Sequence, residues 1–197
     1  MARICLFGGT FDPVHIAHLR IANEALRSLS LDKVLFIPAE NPPHKQTNAV
    51  TPYEDRFRMV EIACEPYPPF EPSRLEAGTG RSYTIDTLER FRAEITPEDE
   101  LFFLIGADAF NEIRTWKRWE DVIRATEFIV VSRPGETYSV PGSAIVHPLQ
   151  GLELPVSSSG IRARLLAGEE VPEIPAPVRE YIEQRGLYGR GATALQP

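Results

Sequence analysis

The chain has 197 residues, 43% hydrophobic and 25% charged, with a net charge of −7 at pH 7. That length and balance suit one soluble domain with a sizeable core. The acidic balance argues against a general nucleic-acid binder, and no apolar run approaches the ~20 residues that span a bilayer. The N-terminal MARICLFGG is too short for a signal peptide. A cytoplasmic protein with no nucleic-acid or membrane partner is expected. Cys5 and Cys64 lie in apolar segments without a CxxC pair, so buried, reduced thiols are expected.

In chain order, ARICLFG (2–8) reads as a buried strand. Residues 16–29 follow as a helix with Leu19, Ala22, Leu26 and Leu29 at steps of three and four. KVLFIPA (33–39) reads as a second strand, and the polar, proline-rich 40–50 as a loop and candidate lid. TPYE (51–54) starts a helix to about Cys64, with Thr51 as cap, Pro52 at the first position and Glu54 completing a capping box. FEPSRLEA (70–77) holds a short strand, and 82–95 a helix with Ile85, Leu88, Phe91 and Ile95 on one face. Strands are expected at 101–108, 127–135 and 143–148, with a helix around 116–125. Two short helices close the chain, one after SSS and one over 176–185 ending at Gly186, ahead of a loose tail, 189–197.

Apolar strands alternating with helices imply an α/β fold, a parallel sheet with helices on both faces. Ligands of such sheets bind at the carboxyl ends of strands where the strand order reverses. The segments that should converge are therefore Gly8 to Asp12, Ala39 to Lys45, Gly106 to Asp108 and Ser132 to Gly135.

The stretch GGTFDPVHIAH (8–18) holds the densest chemistry. Gly8 and Gly9 end a strand and let backbone amides approach an anion. The following helix turns its positive end to the same place, and Thr10 adds a hydroxyl. His15 and His18, three apart at a helix start, share a face and can point at one phosphate chain. Read alone, the glycines also fit a plain turn, and the histidines surface or core positions or a zinc pair without an evident third ligand. His44 and His147 have no carboxylates nearby in the chain. The GxGxxG fingerprint and the P-loop are both absent.

On these residues the chain resembles the nucleotidyltransferases with the HxGH signature, a Rossmann-like superfamily, and within it the bacterial nicotinate-nucleotide adenylyltransferases. The resemblance covers nearly all of 2–188. NPPHK (41–45), SYTIDTL (82–88), LIGADAF (104–110), TWKRWED (115–121), SRPG (132–135), VSSSGIR (156–162) and YIEQRGLYG (181–189) occur in the family's order. Two positions depart from it: Ala17 stands for the usual glycine of HxGH, and Ser159 for the usual threonine of ISSTxIR.

The resemblance implies a nucleotidyltransferase domain over 1–188 that transfers AMP from ATP to nicotinate mononucleotide, with Mg²⁺ accompanying ATP and no protein metal ligand. His15, His18, Ser158 and Arg162 would be catalytic. Gly8, Gly9, Thr10, Phe11, Gly106, Asp108, Arg133 and Ser157 would bind ATP. Lys45, Tyr83, Thr84 and Trp116 would bind the acceptor, with the helix start near Thr84 holding the ring's carboxylate. Without the resemblance, the serines read as a helix cap, Asp108 as a cap of the next helix, Trp116 as a half-buried helix residue and Lys45 as a solvated charge. The competing functions are a related adenylyltransferase acting on nicotinamide mononucleotide or phosphopantetheine, a zinc hydrolase and a non-catalytic nucleotide sensor.

Overall fold

The computed structural model describes residues 1–41, 51–150 and 155–189. Six strands form one parallel sheet: β1 (Arg3–Gly9), β2 (Lys33–Pro38), β3 (Phe70–Pro72), β4 (Glu100–Gly106), β5 (Glu127–Val131) and β6 (Val146–Leu149). Their order is β3-β2-β1-β4-β5-β6, every neighbouring pair parallel. This is the doubly wound, Rossmann-like arrangement. The strands were legible because both faces are covered, which makes them continuous apolar runs.

Alternate strand residues feed two cores. Cys5, Phe7, Val34, Phe36, Phe102, Leu104 and Ile129 face one side. There they meet α1 (Ile16–Ser28), α2 (Tyr53–Cys64), α6 (Ser158–Ala167) and α7 (Ala176–Arg185). Ile4, Leu6, Leu35, Ile37, Phe103, Ile105, Phe128 and Val130 face the other side. They meet α3 (Thr84–Arg92), α4 (Ala107–Asn111) and α5 (Trp119–Ala125). Cys5 and Cys64 are buried free thiols, and burial pushes Cys64 up to about 12. Among the described residues no helix is long and apolar enough to cross a membrane.

Several expected boundaries shift. α2 is capped by Pro52, without a side-chain hydrogen bond, instead of by Thr51. The Thr51 amide instead reaches Asp12 (3.4 Å), and Glu54, expected to close a capping box, is engaged by Arg74 at 2.7 and 2.8 Å. α3 is shorter than expected, spanning Thr84–Arg92. The helix expected around 116–125 begins only at Trp119, after the left-handed Arg118 (φ 52°), and a 3-10 turn, Ile113–Thr115, precedes it. α4, five residues long, is too short to show a helical period, and only the reading of Asp108 as a helix cap pointed to it. Most of the 40–50 loop and all but Gly189 of the expected tail lie outside the described residues.

Candidate active site

The ladder between β1 and β4 ends at Phe7 and Leu104. Beyond it Gly8 and Gly9 continue with β2, while Ile105 and Gly106 continue with β5. The sheet thus parts at the point where the strand order reverses, and a crevice opens there. Gly8 is exposed at its edge, and a Cβ there would make only ordinary contact, 3.5 Å, with Phe103. Gly9 has a different reason to be glycine: a Cβ would stand 2.8 Å from the Phe11 ring. Phe11 itself is left-handed (φ 50°), a conformation its ring makes tenable by packing edge-on to Phe7 at 5.4 Å and against Phe36 at 5.6 Å. Thr10 lies between these two residues, half-buried.

His15 and His18 come together as expected, stacked with ring centroids 3.7 Å apart. His15 is the N-cap of α1, not part of its first turn. His18 Nδ1 accepts the His15 backbone N–H at 3.2 Å, which places the proton of the neutral His18 ring on Nε2, as a donor. His15 is 4% exposed. Burial lowers its pKa to about 4, against an opposing pull from Glu173, so its imidazole is neutral near pH 7. Its Nδ1 has no hydrogen-bond partner among the described residues. The first amide of α1, at Ile16, donates to the Glu173 carbonyl at 2.8 Å, so that amide of the helix terminus is already used.

The start of α6 meets this loop across some 150 residues of chain. Arg162 Nη1 donates to the Asp12 carbonyl at 2.7 Å, and the Ser158 hydroxyl donates to the Pro13 carbonyl at 3.1 Å. Ser157 is the N-cap, its hydroxyl accepting from the Gly160 amide at 3.2 Å. It also lies 3.1 Å from the Ser159 hydroxyl, so the serine that replaces the family's threonine joins the cap. The cap reading therefore holds for Ser157, while the Ser158 hydroxyl is turned to the loop after β1. Ala17, the other departure, is buried in α1.

Three residues of the site escaped sequence reasoning. Arg56 is 1% exposed and donates to the carbonyls of Thr51, Thr10 and Ala39 at 2.8, 2.8 and 2.7 Å. Burial lowers its pKa. Asp12, 2% exposed, sits between α6 and the segment that follows α7. Tyr188, in the YIEQRGLYG motif, donates its hydroxyl to Asp12 Oδ1 at 2.6 Å. Only the motif match drew attention to Tyr188, and Asp12 was marked only as the end of the Gly8 to Asp12 segment, with no role of its own.

Across the crevice, Gly106 caps α4, and Asp108 lies exposed in the first turn of that helix instead of capping it. A Cβ on Gly106 would stand 2.7 Å from the Asp108 carboxylate. Arg133 is exposed just beyond β5. On the same face of the sheet, Tyr83 caps α3 and Thr84 begins it. Trp116 is half-buried and meets Phe103 edge-on at 6.5 Å, linking it to the β4 core. Lys117 Nζ lies 4.6 Å from the Tyr83 ring centroid and 2.9 Å from Asp86, tying the 113–118 segment to α3. Lys45 and His44 lie outside the described residues. His147 does have a carboxylate partner, contrary to the sequence reading: Glu127, in the neighbouring strand, is 2.6 Å away, because parallel pairing brings together residues 20 apart. Among the described residues no three His, Cys, Asp or Glu side chains are gathered as a metal site.

A cytidylyltransferase-like family model matches residues 6–164. The chain is 54% identical over 186 residues to a protein of Solibacter usitatus described as "Probable nicotinate-nucleotide adenylyltransferase", covering 94% of this chain and 99% of that one. A protein of the same description from Thermus thermophilus is 44% identical over 188 residues, covering 94% and 99%. The fold matches the solved Plasmodium falciparum nicotinic acid mononucleotide adenylyltransferase complexed with NaAD, with a TM-score of 0.78, 20% identity and coverage of 95% and 98%. The chain belongs to the nicotinate-nucleotide adenylyltransferase family of cytidylyltransferase-like proteins.

Proposed function

We propose that the protein transfers the adenylyl group of ATP to nicotinate mononucleotide, releasing pyrophosphate and forming nicotinate adenine dinucleotide. The observation that supports this reading is the meeting of Arg162 and Ser158 with the Asp12–Pro13 backbone, which brings together the two segments we assign to the phosphates. The relatives' shared description and the solved neighbour's bound dinucleotide point to the same substrates.

The acceptor's phosphate is the nucleophile. Its second pKa is ~6, so it is largely dianionic near neutral pH, and neither a protein nucleophile nor a strong base is needed. The reaction instead requires alignment of two anions and stabilisation of charge on the departing pyrophosphate. In this account Gly8, Gly9, Thr10 and Phe11 receive the triphosphate against the strand end. His18 donates a hydrogen bond, and neutral His15 contributes a polar ring rather than a charge. Arg162 supplies the fixed positive charge, with Ser157, Ser158 and Arg133 completing the phosphate site. Gly106 and Asp108 line the adenosine end. Trp116 stacks on the pyridine ring, Tyr83 and Thr84 present the α3 amides to its carboxylate, and Lys45 reaches the acceptor phosphate.

Mg²⁺ bound with ATP would neutralise phosphate charge through phosphate oxygens and water, and Asp108 is the carboxylate we assign to its water shell. We assign residues 1–188 to one catalytic domain and place the reaction in the cytoplasm.

Pyrophosphate release with ATP and Mg²⁺, compared between nicotinate and nicotinamide mononucleotide, tests the reading. Strong preference for the acid is expected. Equal use of both removes the role of the α3 terminus, and no release with either overturns the assignment.

A further inference from the structure

Tyr188 follows α7 in a left-handed conformation (φ 59°), just past the left-handed Gly186 that ends the helix. Its ring packs on the core beside Leu187, and its hydroxyl reaches Asp12, 176 residues away in sequence. Asp12 is buried, and its two carboxylate oxygens are used differently. Oδ1 takes the Tyr188 hydroxyl at 2.6 Å. Oδ2 takes the Thr51 amide at 3.4 Å and stands 3.8 Å from Arg162 Nη1. The Arg162 guanidinium is bonded at 2.7 Å not to this carboxylate but to the backbone carbonyl of the same residue.

A buried aspartate beside an arginine ordinarily forms a close charge-assisted pair, often bidentate. Here the two remain an ion pair at 3.8 Å without a hydrogen bond. An arginine closed onto Asp12 would commit to the carboxylate N–H donors that a phosphate would otherwise take. We infer that Tyr188 is a positioning residue of the reaction: its hydroxyl keeps the Asp12 carboxylate from hydrogen-bonding Arg162, leaving the guanidinium's remaining N–H donors for the phosphates of ATP. This rests on the adenylyl-transfer reading above.

Removing the hydroxyl strips a buried acceptor of its shortest hydrogen bond, and a buried acceptor seeks another donor. Arg162 is the charged donor already at 3.8 Å, and closing by about 1 Å makes the charge-assisted pair. Its help to the departing pyrophosphate then weakens, where charge is greatest in the transition state. α7 keeps its own ties without this hydroxyl, because Tyr181 and Arg185 separately hold Asp55 of α2 at 2.7 and 3.0 Å.

The test is pyrophosphate release by the wild type, Tyr188→Phe, Asp12→Asn and the double variant, with thermal unfolding of each. Tyr188→Phe is expected to lower kcat about tenfold while leaving the KM for nicotinate mononucleotide within about twofold, with cooperative unfolding retained. In the Asp12→Asn background the same change is expected to alter kcat by less than about twofold, since an amide has no charge with which to capture the guanidinium. A wild-type kcat in Tyr188→Phe overturns the inference, as does an equal loss in both backgrounds. If the wild type itself releases no pyrophosphate, the adenylyl-transfer reading falls, and this inference with it.

Discussion

At the residue scale, the histidine pair combines two environments in one stack. His18 is half-buried and fixed through Nδ1 to the backbone, whereas His15 is enclosed and neutral. The enclosure has a consequence for stability. The unfolded chain protonates His15 near 6.5, while the folded chain does so only near 4. The folded state therefore keeps its full advantage above pH 6.5 and loses it as pH falls toward 4. By pH 5 the loss is about 2 kcal/mol relative to pH 7. Urea unfolding of the wild type and of His15→Gln at pH 7 and pH 5 checks this. The wild type should lose about 2 kcal/mol more than the variant over that interval, and parallel losses would mean that His15 is not protected from protonation.

At the element scale, Arg56 acts as a tie. From α2 it reaches the carbonyls that follow β1 and β2, so one guanidinium sets the spacing of two strand-end loops beside the crevice. Arg56→Met should cost about 3 kcal/mol or more, because it leaves buried carbonyls without donors, and denaturant unfolding measures it. A cost below about 1 kcal/mol would mean that water or rearrangement replaces these bonds.

The elements also show what a local pattern can reveal. The strand cores were readable because doubly covered strands are apolar throughout, and α1 and α7 because their periodicity and the Gly186 stop are local. The α2 cap was misread because Thr51 and Glu54 look like a capping box until Asp12 and Arg74, distant in sequence, claim them. Arg56 was not legible, since its acceptors are backbone carbonyls that carry no sequence signature.

At the scale of the whole molecule, the fold brings the segment after β1 and the segment after α7 to one site. The β1 loop supplies the glycines and histidines, α6 returns with Arg162, and the segment after α7 closes on Asp12. The existence of these segments was legible in the sequence, as strand ends, an SSS helix start and a terminal motif. Their mutual contacts were not, because spatial partners 150 residues apart leave no periodicity between them. His147 makes the same point at the β6 edge of the sheet, where Glu127 is a partner only through the β5–β6 ladder.

The central claim is that this convergence performs the chemistry by hydrogen bonding and charge, without a protein nucleophile. The most direct measurement is the kcat of His18→Ala with ATP and nicotinate mononucleotide both saturating, on protein shown to retain cooperative unfolding. The account predicts a fall of about a hundredfold or more, as for loss of a transition-state donor. Turnover at the wild-type rate would contradict it and remove the histidine pair from the mechanism.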